Sequence, residues 1–208
     1  HTYCIVGDGC LMEGVSHEAA SLAGHHKLNK LIVFFDDNGI SIDGPTTLSV
    51  SDDNVARFKS YGWNTISIDG HNPAEIRQAL LNAKTSTKPS LIAARTKIGY
   101  GAPNKEGTAA SHGAPLGPDE IALTRDNLDW PYEPFIIPAE VLEEWRRIGS
   151  RSSNAQKAWS DRLNNSEKSI RAAFTSSIDA KINNSVTEAL KNYEAKLIDE
   201  KPNVATRV

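Results

Sequence analysis

Two turns carry residue types suited to holding a cation beside a phosphate. Gly7-Asp8-Gly9 and Asp36-Asp37-Asn38-Gly39 each close a short apolar run and lie about 26 residues apart. Asp8 offers a carboxylate and Asn38 an amide oxygen, and neither turn contains the Cys or His side chains that zinc prefers. Hard oxygen donors of this kind suit Mg²⁺ or Ca²⁺ shared with the phosphates of a ligand. The flanking glycines let the backbone approach that ligand closely. A helix starting beyond Gly9 would point free N–H groups at a diphosphate. Gly-Asp-Gly alone is a common turn, and Asp8 and Asn38 also read as turn and cap residues. A second oxygen-rich turn after a second strand favours a site.

The apolar pattern supplies the elements that must position these turns. Residues 3–6 read as a buried strand entering a tight turn. Val15, Ala19, Leu22 and Ala23 follow at helical spacing, with Gly24 as the expected helix end. Residues 31–35 form a continuous apolar strand, Val55 and Phe58 point to a short helix over 52–60, and residues 63–68 read as a third strand. Asn72-Pro73-Ala74-Glu75 is a helix start with cap, first-turn proline and capping-box acid, followed by the apolar face Ile76, Ala79, Leu80 and Ala83. Residues 90–94 are the fourth strand. This alternation predicts an α/β fold, a parallel doubly wound sheet flanked by helices. Ligands of such sheets bind beyond the carboxyl ends of the strands, so both turns should face one crevice.

After residue 95 the periodicity is lost. Residues 96–117 read as a long loop, and a structureless loop of that length is expected to serve a site. A short helix opens at Pro118-Asp119-Glu120, residues 130–134 form an extended connector, and a helix from Pro138 carries Val141, Leu142, Trp145 and Ile148. Residues 149–153 read as a break. Residues 154–199 then read as one or two polar amphipathic helices, with apolar positions at Trp159, Leu163, Ile170 and Phe174, then Ile178, Ile182, Val186 and Leu190. The expected division is an α/β domain over 1–150 and a helical extension over 151–208.

Composition excludes some functions. Lys plus Arg total 23 against 26 for Asp plus Glu, a net charge of -3, so no basic surplus exists to neutralise nucleic-acid phosphates. Hydrophobic residues make up 39% and charged residues 24%, an ordinary globular balance. No apolar run approaches the roughly 20 residues that span a bilayer, so no membrane partner is expected. Two cysteines, Cys4 and Cys10, make no disulfide framework, which points to a reducing, cytoplasmic setting. The chain opens on His1 with no basic n-region and reads as a strand entered part-way, so a segment of a longer protein is expected.

The wording of these motifs resembles the transketolase family of thiamin diphosphate enzymes. The resemblance is carried by Gly7-Asp8-Gly9-Cys10-Leu11-Met12-Glu13-Gly14-Val15-Ser16-His17-Glu18-Ala19, by Asp36-Asp37-Asn38-Gly39-Ile40-Ser41-Ile42-Asp43-Gly44 and by Tyr61-Gly62-Trp63. Residues 97–105 and Ser111-His112-Gly113-Ala114-Pro115-Leu116-Gly117 continue it in order, in the style of bacterial and plant members. It implies the thiamin diphosphate-binding fold, with Asp8, Asn38 and the backbone oxygen of Ile40 as ligands of Mg²⁺ (or Ca²⁺). It places Gly7 and Gly9 against the diphosphate, Ile42 near the thiazolium and aminopyrimidine, and Ile98 in the pocket wall. His112 would reach the diphosphate or sugar hydroxyls. Glu13 and Glu18 would line a water-filled connection between the two active sites of a homodimer. The implied reaction moves a two-carbon ketol unit between sugar phosphates of the pentose phosphate pathway. The acid that activates the aminopyrimidine would come from a pyrimidine-binding domain of the partner subunit, so this chain alone is expected to be inactive.

Plainer readings stand beside these. His112 in a glycine-flanked loop also reads as a surface histidine. Glu13 and Glu18 sit about 140° apart on a helix and read equally as exposed helix-start acids. His17 lies four residues after Glu13, where it could pair with it, and reads as an interface-packing residue more than a catalytic one; His25-His26-Lys27 reads as a solvated helix end. The small residues Ala19, Ala20, Ser21, Ala23 and Gly24 favour close packing against a neighbour, a second subunit included. The alternatives weighed are dihydroxyacetone synthase or 1-deoxyxylulose-5-phosphate synthase, which share the cofactor motif, and a non-catalytic binding or assembly module.

Overall fold

The computed structural model describes residues 1–179 and 184–202. It divides into two compact units, His1–Glu133 and Pro134–Val208. The helix expected from Pro138 therefore belongs to the second unit, whereas the sequence pattern placed the division at residue 150. Among the described residues no helix is long and apolar enough to cross a membrane.

The first unit holds strands β1 (Thr2–Gly7), β2 (Leu31–Asp37), β3 (Ile40–Ser41), β4 (Gly44–Pro45), β5 (Asn64–Asp69) and β6 (Ser90–Arg95). Its helices are α1 (Asp8–Met12), α2 (Gly14–His25), α3 (Asn54–Ser60), α4 (Pro73–Thr85) and α5 (Pro118–Asn127). Four strands form a parallel sheet in the order β1-β2-β6-β5, and β3 and β4 form a small antiparallel hairpin. Val33, Phe35, Leu91 and Ala93 face Leu11, Ala20, Ala23, Phe58 and Trp63 on one side. Ile32 and Ile92 face Ala79 and Ala83 of α4 on the other. Cover on both faces explains why residues 31–35 and 90–94 are continuously apolar, and the doubly wound expectation holds.

β1 departs from its reading as a buried strand. It is the outermost strand, with Tyr3 53% and Ile5 80% exposed, and Cys4 is exposed as well. Tyr3 and Ile5 lie in register with Ile32 and Phe34, on the α4 face of the sheet, but neither joins the cluster that Ile32 and Ile92 form with Ala79 and Ala83. Val6 alone of the apolar run packs against the core.

Gly24 also has another role than ending its helix. α2 runs on to His25, and the turn beyond it uses Lys27 at φ 50°. A Cβ on Gly24 would lie 1.9 Å from the backbone oxygen of Tyr61. The indole N–H of Trp63 donates to the Ala20 carbonyl at 2.8 Å. The small residues Ala20, Ala23 and Gly24 thus admit the chain's own 61–63 segment, while Ala19 and Ser21 are exposed.

The start of α4 has the expected cap and first-turn proline, but the Asn72 N–H donates to the Asp69 carbonyl at 3.1 Å and Glu75 does not close a capping box on it. The Asn72 side-chain oxygen accepts from the N–H groups of Ala74 (3.0 Å) and Glu75 (3.4 Å), and the Glu75 carboxylate accepts from the Asp69 N–H at 2.8 Å. Asn72→Ala is expected to lower unfolding free energy by about 1 kcal/mol. Urea denaturation checks this, and an unchanged midpoint would remove the cap from the account.

The segment 96–117 is a chain of turns, not a structureless loop. The Gly107 N–H donates to the Ile98 carbonyl (2.8 Å), Glu106 accepts from the Gly101 N–H (2.9 Å) and pairs with Lys97 (3.0 Å). The His71 ring stacks on Tyr100 at 4.2 Å, and its Nε2 accepts from the Lys97 N–H at 3.0 Å.

The second unit contains α6 (Ala139–Ser150), α7 (Ser153–Asn164), α8 (Lys168–Ile178) and α9 (Asn184–Glu200). Among the described residues, three helices follow residue 152 where one or two were expected. The break after α7 falls at Asn165, Ser166 and Glu167, where the Ser166 hydroxyl donates to the Leu163 carbonyl at 2.7 Å and Glu167 turns extended. Ser and Asn compete with helical bonding in this way. Trp159 and Phe174 meet edge to face at 5.9 Å. Ile182 lies outside the described residues.

Candidate functional site

Because β1 and β2 are parallel neighbours, their carboxyl ends lie side by side, and so do the turns that follow them. Gly7 closes β1 and serves as the N-cap of α1, so Asp8 is the first helical residue. Asp8 is only 9% exposed, and its Oδ2 accepts from the Gly39 N–H at 3.2 Å. That bond ties the two turns together. The Asn38 oxygen accepts from the Ile40 N–H (2.9 Å), and the Asn38 amide donates to Asp36 Oδ2 (3.2 Å). Asp36 in turn accepts from the Thr96 hydroxyl. Gly39 makes the reversal at φ +71°, a conformation that side chains rarely adopt.

A cleft of about 570 Å³ opens at this junction. Gly7, Asp8, Gly9 and Cys10 form its floor, with Asp36 and Asn38 beside them. The β3–β4 hairpin brings Ile40, Ser41, Ile42 and Asp43, and the 96–117 segment brings Ile98, Ser111, His112 and Gly113. The long glycine-rich segment is thus a wall of the cleft. Its far side is pinned by Glu120 in the first turn of α5, whose carboxylate accepts from both the backbone and side-chain N–H groups of Asn104 at 2.8 Å. Those bonds, with nearby Lys105, hold the Glu120 carboxyl below the usual glutamate range. The Glu120 contribution is therefore present above its unfolded pKa and lost as pH falls through the folded one. Glu120→Ala is expected to speed hydrogen exchange at the Asn104 amide while the α4 amides stay unchanged. Equal exchange at Asn104 would show that Glu120 does not hold the segment.

Burial pushes the Asp8 carboxyl above the ordinary aspartate range, the Gly39 N–H opposes this, and Asp37 and Asp36 add to it. No basic side chain pairs with Asp8 among the described residues. A cation beside Asp8 would offset that cost. Among the described residues no group of three His, Cys, Asp or Glu side chains is placed to hold a metal. A cation here would draw on one carboxylate, the Asn38 amide oxygen, a backbone oxygen and the ligand's own phosphates. A hard oxygen set of that kind fits Mg²⁺ or Ca²⁺ and does not fit zinc.

The structure brings Gly7, Asp8, Gly9, Asn38, Ile40, Ile42, Ile98 and His112 together around one cleft. Glu13 and Glu18 are exposed and do not line it; Glu13 sits at the junction of α1 and α2 and Glu18 lies within α2. His17 meets the guanidinium of Arg57 at 2.8 Å instead of pairing with Glu13, and His25 and His26 are exposed as expected. Cys10, Asp36, Ser41, Asp43, Ser111 and Gly113 are further cleft residues; all but Asp36 adjoin a selected one, and Asp36 lies two positions from Asn38 in the same turn. Arg57 was also missed, and its contacts with Leu11 span 46 positions that no local pattern links.

Residues 1–187 match the family described as "Transketolase, thiamine diphosphate binding domain". The chain is 49% identical over 206 residues to a transketolase of Cereibacter sphaeroides, covering 99% of this chain and 31% of that protein. It is 45% identical over 212 residues to transketolase 1 of Escherichia coli (strain K12), covering 100% of this chain and 32% of that protein. A transketolase mutant of Pichia stipitis in complex with fructose-6-phosphate superposes with a TM-score of 0.73 at 42% identity, over 79% of this chain and 25% of its own. Transketolase from Leishmania mexicana gives a TM-score of 0.75 at 39% identity, over 85% of this chain and 27% of its own. The chain spans about a third of the length of the curated relatives it matches.

Proposed function

Because this chain belongs to the transketolase family, matching its thiamin diphosphate binding domain, we propose that its cleft holds thiamin diphosphate through one divalent cation, Mg²⁺ or Ca²⁺. The observation that carries this reading is the bond from Gly39 N–H to the buried Asp8 carboxylate, which sets Asp8 and Asn38 in a single cavity. Asp8, Asn38 and the backbone oxygen of Ile40 would ligate the cation. Gly7 and Gly9, bearing no side chains, leave room for the diphosphate against the floor. Ile42, 73% exposed here, and Ile98 offer apolar surface to the rings of the cofactor. His112, a residue of the cleft lining, would donate to the diphosphate or to sugar hydroxyls.

When bound, the cofactor supplies the nucleophilic carbon and electron sink that cleavage beside a ketose carbonyl requires. The chain's own residues bind it, orient it and neutralise its charge. In the complete protein this is a transferase reaction, passing a two-carbon ketol unit from a ketose phosphate to an aldose phosphate in the pentose phosphate pathway. Pichia stipitis relatives carrying fructose-6-phosphate or sedoheptulose-7-phosphate support sugar phosphates as the substrate class. A cytoplasmic homodimer, with Glu13 and Glu18 on the connection between its sites and residues beyond 150 leading to the pyrimidine-binding domain, completes the reading.

Calorimetric titration with thiamin diphosphate tests it. Binding is expected with Mg²⁺ and lost in excess chelator; equal affinity without metal would contradict the reading. Incubated alone with cofactor, Mg²⁺, a ketose phosphate and an aldose phosphate, the 208-residue chain is expected to give no turnover. Clear product formation would show that it carries the full machinery.

A further inference from the structure

Arg57 on α3 is 11% exposed along its side chain and makes four polar contacts, two of them with the first two helices. One terminal nitrogen lies 2.8 Å from His17 Nε2 and 3.4 Å from Asp52 Oδ2. The other donates to the Leu11 carbonyl at 2.9 Å and to Asn54 Oδ1 at 2.7 Å. The third nitrogen, Nε, is buried without a hydrogen-bond partner. Leaving a buried donor unpaired is costly, and buried groups of this kind are rare. The side chain is thus placed to serve its fork at the expense of its own full pairing.

What the fork serves is α1. This helix has five residues, too few to stand without tertiary support. Its amino end forms the floor of the cleft with Asp8, Gly9 and Cys10. Its carboxyl end is met by the Arg57 guanidinium on the Leu11 carbonyl, joined there by the Ser16 hydroxyl at 3.2 Å. A cation at that end also suits the helix dipole. Asn54 and Asp52 orient the fork from its own side, and His17 steadies it from α2.

We propose that Arg57 is a positioning residue for the cofactor site, holding α1, and with it Asp8 and Gly9, through the Leu11 carbonyl and His17. This rests on the cofactor reading given above, and two separate measurements keep the two apart. Hydrogen exchange at the α1 amides, in the full chain without ligand, reads the positioning itself. Calorimetry with Mg²⁺ and thiamin diphosphate reads its consequence. Arg57→Met keeps the aliphatic stem and its packing but removes the fork. It is expected to speed exchange in α1 about tenfold and to weaken cofactor affinity about tenfold, the scale seen when an outer support of a metal site is lost. Arg57→Lys, which can still reach one carbonyl, is expected to recover most of both effects. Asn54→Ala, a partly exposed change that leaves the fold intact, is expected to show a smaller shift in the same direction. Wild-type behaviour of Arg57→Met, or faster α1 exchange in Arg57→Met that Arg57→Lys does not relieve, would overturn the role. If Arg57→Met does not fold, unaltered α1 exchange in Asn54→Ala overturns it. If the wild-type chain binds no cofactor, the cofactor reading fails while the exchange data still decide whether Arg57 holds α1.

Discussion

Asp8→Ala is expected to weaken Mg²⁺-dependent binding of thiamin diphosphate about a hundredfold, or about 2.7 kcal/mol. Asp8 is the one charged side chain in the proposed ligand set, and it also accepts the Gly39 N–H that joins the two turns. Its removal takes away a metal ligand and frees the Asn38 turn together. Asp8→Asn separates charge from shape. Burial raises the Asp8 carboxyl above its unfolded value. Stability from the protonated form is therefore complete below the unfolded pKa and is lost as pH rises through the folded one. Without metal, the stability of the wild-type chain relative to Asp8→Asn should rise as pH falls through that range. With Mg²⁺ at neutral pH only the wild type should gain in melting temperature. Equal metal-induced shifts in the two proteins would remove Asp8 from the site.

Gly24→Ala is expected to cost about 3 kcal/mol or more, at the upper end of overpacking effects. The added Cβ would meet the Tyr61 carbonyl oxygen at 1.9 Å and its carbon at 3.0 Å, both of them backbone, with Trp63 at 3.2 Å. No rotamer change relieves a backbone clash, so α2 must move off the 61–63 segment and lose the Trp63–Ala20 bond. Gly14→Ala in the same helix is the control, because nothing lies within 4 Å of its added Cβ. A change there should stabilise by about 0.5 kcal/mol. Urea denaturation of the two variants decides the matter; similar midpoints would show that α2 and the 61–63 segment pack more loosely than described.

Much of this molecule was readable from residue order, for identifiable reasons. Leu31 to Phe35 and Ser90 to Ala94 lie in strands covered on both faces, so apolar continuity alone marked them. The adjacency of Asp8 and Asn38 followed from two consecutive parallel strands, since such neighbours place their following turns side by side. Burial of β1 was not readable. It depends on strand order, and Tyr3 and Ile5 look the same in a central strand as at an edge. Gly24 was ambiguous because a helix end and a close backbone approach demand the same residue. Arg57 left no trace in spacing: its partners Leu11 and His17 come together only when α3 folds against the first two helices. The turns within residues 96–117 were similarly hidden, because Glu106 and Glu120 act on backbone groups that the fold delivers to them.

One cation held between the turns after β1 and β2 is the central claim. Crystals grown with thiamin diphosphate and Mn²⁺ in place of Mg²⁺, measured at the manganese absorption edge, test it most directly. A single anomalous peak in contact with Asp8, Asn38 and the diphosphate is the predicted result. A diphosphate seated with no peak between those two side chains, or a peak bound elsewhere on the chain, would contradict it.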